Sequence, residues 1–269
     1  GVRLVGSEMC IRDSRPKRRT RATIAKEKGL EPLANIIMLQ MTGEPVVKTA
    51  EEYVSEEKDV KTPEDAVAGA KDIIAESISD NADYRTRIRE LTFKEGVLTS
   101  AAKDAEAKTV YEMYYNFSEP VAKMAGHRIL AVNRGENEKI LTVKIEAPVD
   151  KILSYLEKQI IVRDNRYTTG IIKEAIEDSY ERLIAPSIER EIRNQLTETA
   201  EAGAIKVFGK NLEQLLLQPP ITGHVVLGWD PAFRTGCKLA VVDATGKVLD
   251  TTVIYPTAPP VSYTHLRAH

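Results

Sequence analysis

Apolar residues recur every three or four positions along most of the chain up to residue 220, which is the period of an amphipathic helix. A helix is predicted over 24–40, with interruptions at Gly29 and Pro32. The strongest start signal is Thr62-Pro63, where a hydroxyl cap precedes a proline in the first turn. Further helices are predicted in four places: after Asp80 as a cap, over 101–117, after Asp150 as a cap, and over 170–184.

The longest helical pattern begins at Pro186. Its apolar positions predict a single helix of about 30 residues, roughly 45 Å long at the usual rise per residue. Gly203 and Gly209 are places where this helix could bend or split. Pro219-Pro220 ends the pattern.

Strand patterns replace the helical period in four places, by alternation at 139–146 and by short runs of mainly apolar residues after residue 220. Residues 139–146 predict one strand within the helical region. After the two prolines, runs at 224–230, 238–243 and 248–255 predict three more strands, with Gly246 in a hairpin turn between the last two. The pattern therefore predicts a mainly α fold with a β meander at its C-terminal end.

The two ends of the chain show no period, and the genetic code relates one to the other. Residues 5–13, VGSEMCIRD, can be encoded by a DNA whose reverse complement encodes VSYTHLRAH, the sequence of residues 261–269. One DNA element read on both strands accounts for both ends, as a sequencing adapter would. We treat 1–14 and 261–269 as adapter-derived, and we expect the natural protein to be longer at both ends.

Composition excludes several classes of protein. The chain has 269 residues and is 42% hydrophobic and 29% charged, which rules out a collagen-like or wholly disordered chain. No stretch approaches the ~20 apolar residues of a membrane span. Two cysteines cannot form a disulfide framework, so we expect a cytoplasmic protein with no membrane partner. The formal charge of −2, or −3 without the three arginines and two acids of the ends, does not itself predict nucleic-acid binding.

Few motifs that carry chemistry are present. The sequence has no Gly-rich phosphate loop and no zinc-type spacing of Cys and His, so we expect no cofactor, metal or small-molecule substrate. Cys237 is expected to be a packed thiol.

The sharpest local feature is GWDPAFRTGCKLAVVDATGKVLD at 228–250, in which Asp230 ends a hydrophobic strand and a hairpin follows. Nucleases of the RNase H type begin in this way, and their carboxylate here helps to hold two Mg²⁺ ions. One carboxylate is not an active site, however, and Asp243 and Asp250 are expected to point away from it. Asp230 is therefore a degenerate candidate, and a loop-stabilising role is the alternative.

Basic residues are concentrated in RPKRRTR at 15–21. Their side chains could bind phosphates by displacing counterions, or they could equally form a solvated linker. The nucleic-acid-binding candidates are Lys17, Arg18, Arg19 and Arg21, together with Arg234 in the loop after Asp230.

Four blocks in order resemble the Tex family of bacterial transcription accessory proteins. They are RPKRRTRATIAKEKGLEPLA at 15–34, GHRILAVNRGE at 126–136, the segment 182–220 that begins RLIAPSIEREIRNQ, and VLGWDPAFRTGCKLAVVDATGKVLDTTVIYP at 226–256. The resemblance covers nearly all of 15–260. It departs from the family at Trp229, where a smaller aliphatic residue is usual. Ala232 also stands where RuvC-like nucleases usually have glycine.

The resemblance implies a helical, helix-turn-helix-like N-terminal region at 15–220, within which a break near 118–150 could divide two subdomains. It implies that 221–260 are the first strands of an RNase H-like (RuvC-like, YqgF-type) α/β domain. In the family a helix-hairpin-helix region and an S1 RNA-binding domain follow. It also implies nucleic-acid binding linked to transcription, with a RuvC-like domain that lacks the full catalytic set.

Three functional hypotheses stay open. The first is a non-catalytic accessory factor of transcription that binds RNA or DNA. The second is a Mg-dependent RuvC-like nuclease acting through Asp230. The third is a scaffold that docks on the transcription machinery through the long helix. The block at 126–136 receives no role: His127 is expected to be packed in the core, and Arg134 and Glu136 to lie at the surface or in an ion pair.

Overall fold

A computed structural model describes residues 19–219, 221–232 and 235–255 of the chain. Its helices, in chain order, are α1 Arg21–Glu27, α2 Glu31–Leu39, α3 Val46–Ala50, α4 Pro63–Asp80, α5 Ala82–Glu95, α6 Gly126–Asn137, α7 Val149–Ile160, α8 Thr169–Asp178 and α9 Ala185–Leu216. Its strands are β1 Val97–Ala102, β2 Asn116–Pro120, β3 Leu141–Glu146, β4 Val226–Asp230, β5 Cys237–Val242 and β6 Val248–Ile254. The prediction of a mainly helical chain that ends in a β meander is confirmed.

The helices begin near the predicted capping residues, but two of the predicted caps are not the residues that cap. Thr62 and Asp65 form a reciprocal capping box at the start of α4, each side chain bonded to the other's backbone N–H at 3.1 Å. The predicted cap at Asp80 is wrong, because Asn81 Oδ1 accepts the free N–H groups of α5 instead. The predicted cap at Asp150 is also wrong, since that residue lies within the first turn of α7 and its charge favours the helix N-terminus there.

The predicted helix over 101–117 is wrong, and a sheet occupies its place. β1 is the central strand and pairs antiparallel with β2 and with β3, in the order β2-β1-β3. Between β1 and β2, Tyr111 and Tyr114 are buried around a short 3₁₀ turn, Glu112–Tyr114. Burial of these rings and the backbone ladder override the helical propensity of the Ala, Lys and Glu residues in this segment.

One continuous cluster of buried apolar side chains extends from Ala22 to Ala200. The predicted strand at 139–146 is confirmed as β3, whose residues alternate strictly between buried and exposed. The sheet supplies Leu141 and Val143 to the cluster, and α7 supplies Ile152 and Leu156. The segment 118–150 therefore contributes to the same core as the helices on either side of it.

The predicted long helix is confirmed as α9, which continues through Gly203 and Gly209 without a break. A π-helical turn, Ser179–Ile184, joins α8 to α9. Ile188, Ile192, Leu196 and Ala200 are buried, and every later residue of α9 is exposed.

The described residues after Ile205 belong to a second compact unit, in which β4, β5 and β6 form an antiparallel meander. Gly246 has a φ of +87° in the predicted hairpin turn. Cys237 is buried, with 5% of its surface exposed, as expected of a packed thiol. Most apolar residues of β4 and β6 are exposed. Within the described ranges, no helix has both the length and the apolar character that crossing a membrane requires.

Gly135 is predicted to be required for packing of α6 on β3. A Cβ at this position would lie 2.6 Å from Leu141 Cδ1 and 3.2 Å from Tyr111 Cδ1. Gly135→Ala should therefore lower the free energy of unfolding by about 1–3 kcal/mol, despite a gain in helix propensity. The matched control is Gly203→Ala in α9, where a Cβ would meet nothing within 4 Å, and it should raise stability by about 0.5–1 kcal/mol. Urea unfolding measures both, and shifts of the same sign would contradict the prediction.

Candidate nucleic-acid interface

The structure describes three of the six candidate site residues. Lys17, Arg18 and Arg234 lie outside the described residues. Arg19 and Arg21 stand at the start of α1, and Asp230 ends β4.

Arg19 is held by an exposed ion pair. Thr20 caps α1 by accepting a hydrogen bond from Thr23 N at 3.0 Å, which places Arg19 just before the first turn. Its Nη2 lies 2.5 Å from Glu27 Oε2, and the two side chains are 67% and 53% exposed. A pair this exposed is worth little, so the guanidinium can exchange its carboxylate for a phosphate at small cost.

Arg21 lines a cleft of about 460 Å³, together with Lys28 and Lys61 on the basic side. Three acids line the same cleft and balance these charges: Asp59, Asp65 and Asp72. Lys28 Nζ donates to the Asp59 carbonyl oxygen at 2.8 Å and to its carboxylate at 3.3 Å. The cleft therefore presents no surplus of positive charge to a polyanion.

Behind the cleft, Arg182 of the π-helical turn pairs with Asp72 at 3.0 Å and with Asp178. Burial raises the pKa of Asp72, against the opposing charges of Arg182 and Arg21. The hydrogen bond from Arg182 lowers the pKa of Asp178. Arg21 thus interacts electrostatically with Asp72 and Asp178, the two carboxylates that pair with Arg182.

Asp230 is exposed and stands apart from the other carboxylates of the meander. It faces Lys238 across the β4–β5 ladder, and Val226 at the other end of β4 faces Val242. Asp243 follows Val242 and is five residues from Lys238, so it lies about 16 Å from Asp230 along the strand direction, at ~3.3 Å per residue.

Asp250 pairs with Val241 and lies towards the same far end as Asp243. Among the described residues, no three His, Cys, Asp or Glu side chains lie close enough to hold a metal ion. Asp230 is consequently separated from the other two carboxylates of the described meander, Asp243 and Asp250.

Asp243 has a structural place in the hairpin turn. Its Oδ1 accepts hydrogen bonds from Thr245 N at 2.8 Å, Thr245 Oγ1 at 2.7 Å and Lys247 N at 3.0 Å. These bonds, led by the one from the Thr245 hydroxyl, lower the pKa of Asp243. The carboxylate therefore stabilises the turn rather than facing a ligand.

For the block at 126–136, the prediction that His127 is packed in the core is wrong, and the prediction of an ion pair or surface position for Glu136 is confirmed. His127 is exposed near the start of α6, whereas Ile129, Val132 and Gly135 are the residues of that helix that face the core. Glu136 is in an ion pair, since its Oε1 accepts from Arg193 Nη1 at 3.1 Å.

Sequence reasoning missed two arginines that share one carboxylate. Arg85 Nη2 donates to Glu191 Oε1 at 3.0 Å, and Arg89 donates to Glu191 Oε2 through Nε at 2.9 Å and Nη2 at 2.7 Å. Burial alone would raise the pKa of Glu191, but these bonds together lower it. The spacing of four between the arginines was the available signal, because it places both on one face of α5.

Two family models match the chain. Residues 42–208 match the Tex central region-like model, and residues 224–268 match the Tex protein YqgF-like domain. The second match continues past residue 260, into the end that we predict to be adapter-derived.

Curated relatives match most of the chain. It is 56% identical to "Uncharacterized protein YdcI" of Bacillus subtilis, over 96% of this chain and 36% of the relative. It is 37% identical to "Protein tex" of Bordetella pertussis, over 91% of this chain and 33% of the relative. It is 34% identical to human "S1 RNA-binding domain-containing protein 1", over 88% of this chain and 25% of the relative. The chain spans about a third of the length of the first two relatives.

The turn at Asp243 gives a pH-dependent prediction. Because the folded-state pKa of Asp243 is depressed, its contribution to the turn should be present at neutral pH and lost as pH falls through that pKa. Thr245→Val removes the hydroxyl hydrogen bond that contributes most to this depression, and it should raise the pKa of Asp243 towards that of an ordinary aspartate. Thr252→Val in β6 is the matched control. Carboxyl-carbon NMR titration measures the pKa, and an equal value in both variants would contradict the prediction.

Proposed function

The chain belongs to the Tex family, and we propose on that premise that its complete protein is a nucleic-acid-binding accessory factor of transcription without catalytic activity. The observation that carries the proposal is the Tex central region match over 42–208. The names of two relatives support it, since one is a "Transcriptional accessory protein Tex" of Neisseria gonorrhoeae and the other is an "S1 RNA-binding domain-containing protein 1". We propose RNA or DNA and the transcription machinery as its partners. We propose the cytoplasm as its location.

The domain boundaries are part of the same proposal. We propose a helical Tex-type region at 15–220 and the start of the YqgF-type domain at 221–260, with adapter-derived ends at 1–14 and 261–269. The YqgF-like match from 224 supports the start of the second domain. The compact units divide earlier, between Ile205 and Lys206, because α9 continues beyond the core of the first unit.

The non-catalytic part of the proposal is supported by the isolation of Asp230 among the described carboxylates. Two-metal hydrolysis needs several carboxylates that converge on one site. The competing hypothesis, a Mg-dependent nuclease, draws on the exposed position of Asp230 at the end of β4 and on the YqgF-like match.

We propose that the basic segment binds phosphates, with Lys17, Arg18, Arg19 and Arg21 as its contacts. The weak Arg19–Glu27 pair supports this, because an incoming phosphate can displace Glu27 at small cost. The balanced charge of the cleft at Arg21 makes this residue the weakest of the four candidates.

Neutralising the segment tests the binding proposal in the complete protein. Replacing Lys17, Arg18, Arg19 and Arg21 by Ala should weaken RNA or DNA binding, and should reduce the slope of log K against log salt by about 0.7 per lost single-strand contact or about 0.9 per lost duplex contact. Four exposed lysines elsewhere, Lys103, Lys108, Lys123 and Lys144, changed together to Ala, are the matched control. Fluorescence anisotropy over a salt series gives the slope. An unchanged slope in the test variant, or an equal loss in the control, would contradict the proposal.

A cleavage assay on the complete protein tests the absence of catalysis. With Mg²⁺ or Mn²⁺ present, neither the natural protein nor Asp230→Asn should cut branched DNA, duplex DNA or single-stranded RNA. Cleavage that depends on the metal and disappears in Asp230→Asn would establish the nuclease hypothesis instead.

A further inference from the structure

An apolar pocket lies at the end of α2, in a region to which the sequence pattern assigns no function. Its volume is about 520 Å³, and its walls come from three parts of the first unit: the end of α2, the junction of α4 with α5, and the end of α7. We refer to it as the α2–α7 pocket. Ile78 and Ile160, which are 3% and 6% exposed, are the apolar residues of its lining that belong to the core.

Four large apolar side chains of the lining are exposed. Leu39 and Met41 are each 65% exposed, Val162 is 80% exposed and Met38 is 38% exposed. Single exposed apolar residues are normal on a protein surface, but four around one concave site mark a place for a partner. The two methionines add adaptability, because their unbranched, polarisable side chains can fit different partner shapes.

A buried polar network holds the walls of the pocket in place. Gln40 ends α2 in the left-handed conformation, with a φ of 55°, and is only 5% exposed. Its Nε2 donates to the Ile160 carbonyl at 2.8 Å, and its Oε1 accepts from Arg163 N at 2.9 Å. Asn165 Nδ2 donates to the Thr42 carbonyl at 2.9 Å. The pocket is therefore preorganised, which lowers the entropy cost of binding.

The lining of the pocket carries one positive charge, although Asp80, Asp83 and Asp164 adjoin it in the sequence. Among the described residues that line it, Arg163 carries the only charge, and it is exposed. Arg166, three residues along the same loop, lies over the ring of Tyr167 with its guanidinium carbon 4.4 Å from the centroid. Neither arginine forms an ion pair with a described carboxylate, and Asp164 between them accepts from Thr169 Oγ1 at 3.1 Å.

We propose that the α2–α7 pocket is a docking site for an amphipathic helix of a partner protein, with apolar side chains in the pocket and acidic residues beside Arg163. Helices bind to apolar grooves through side chains spaced at i, i+3 or i+4 and i+7. The aliphatic and thioether side chains of the pocket can pack against the apolar side chains of such a helix. The unpaired Arg163 favours a helix with acidic residues on its flank.

The same observations disfavour two other occupants. A strand of nucleic acid stacks its bases on aromatic faces, but Tyr84, the only aromatic among the described lining residues, is half-buried in an edge-to-face contact with Tyr155. A second copy of this chain, docked symmetrically on the pocket, would bring two copies of the unpaired Arg163 together.

Synthetic helices test the proposal on the full 269-residue chain. The probe is a fluorescent amphipathic helix with leucines at i, i+3, i+4 and i+7 and glutamates on its flanks, and its control is the same helix with lysines in place of glutamates. Fluorescence anisotropy should show tighter binding of the acidic helix. Leu39→Asp and Val162→Asp should each weaken it by about tenfold or more. Arg163→Glu should reverse the preference between the two helices.

Val110→Asp is the matched control variant, because Val110 is 86% exposed on the β1–β2 connection and does not line the pocket. It should bind the acidic helix as the unchanged chain does, and circular dichroism should show all variants folded. Equal binding of the acidic and basic helices would overturn the proposal, as would equal effects of Leu39→Asp and Val110→Asp. Displacement of the helix by single-stranded RNA, or a dimer in sedimentation equilibrium that Leu39→Asp abolishes, would also overturn it in favour of those occupants.

Discussion

Burial of one apolar stripe joins α9 to the core of the first unit. Ile188, Ile192, Leu196 and Ala200 are spaced by four, and each step of four residues advances about 40° beyond a full turn of an α-helix. The stripe therefore winds around the helix, and its members contact different elements. Ile188 lines one cavity with Ile88 of α5 and Ile145 of β3. Ala200 lies against Gly126 at the start of α6, with its Cα 3.3 Å from where a Cβ of Gly126 would be.

Polar contacts on the flanks of the stripe keep α9 in register with its neighbours. Glu189 accepts a hydrogen bond from Ile145 N at 2.9 Å and so covers the outer edge of β3. Glu191 binds two arginines of α5, and Arg193 binds Glu136 of α6. These partly buried groups add specificity more than stability, because a helix slipped by one residue would leave several of them unpaired.

Much of this arrangement could be predicted from local signals, and the failures have a common cause. Short-range rules correctly predict the Thr62 cap, the turn at Gly246 and the period of α9, because each depends on residues close together in the sequence. Local signals do not predict the sheet at β1 and β2, because its stability comes from pairing with β3 some forty residues away along the chain. The same difference between local and long-range signals applies to the candidate sites. The position of Asp230 at a strand end could be predicted, whereas the α2–α7 pocket requires helices far apart in sequence to meet.

The π-helical turn before α9 has a consequence for how this chain can change in length. The buried residues Ile172 and Ile176 of α8 precede the turn, and the stripe of α9 follows it, so the turn sets the rotation between them. Its wider hydrogen-bonded ring holds one more residue than an α-turn. Deleting one residue there would restore regular helix and leave the stripe of α9 close to its present face, whereas a deletion within α9 would turn the rest of that helix by about 100° against the core. Single-residue deletions within α9 are thus constrained by the stripe, whereas a deletion in the turn acts mainly on local contacts such as the pairing of Arg182 with Asp72.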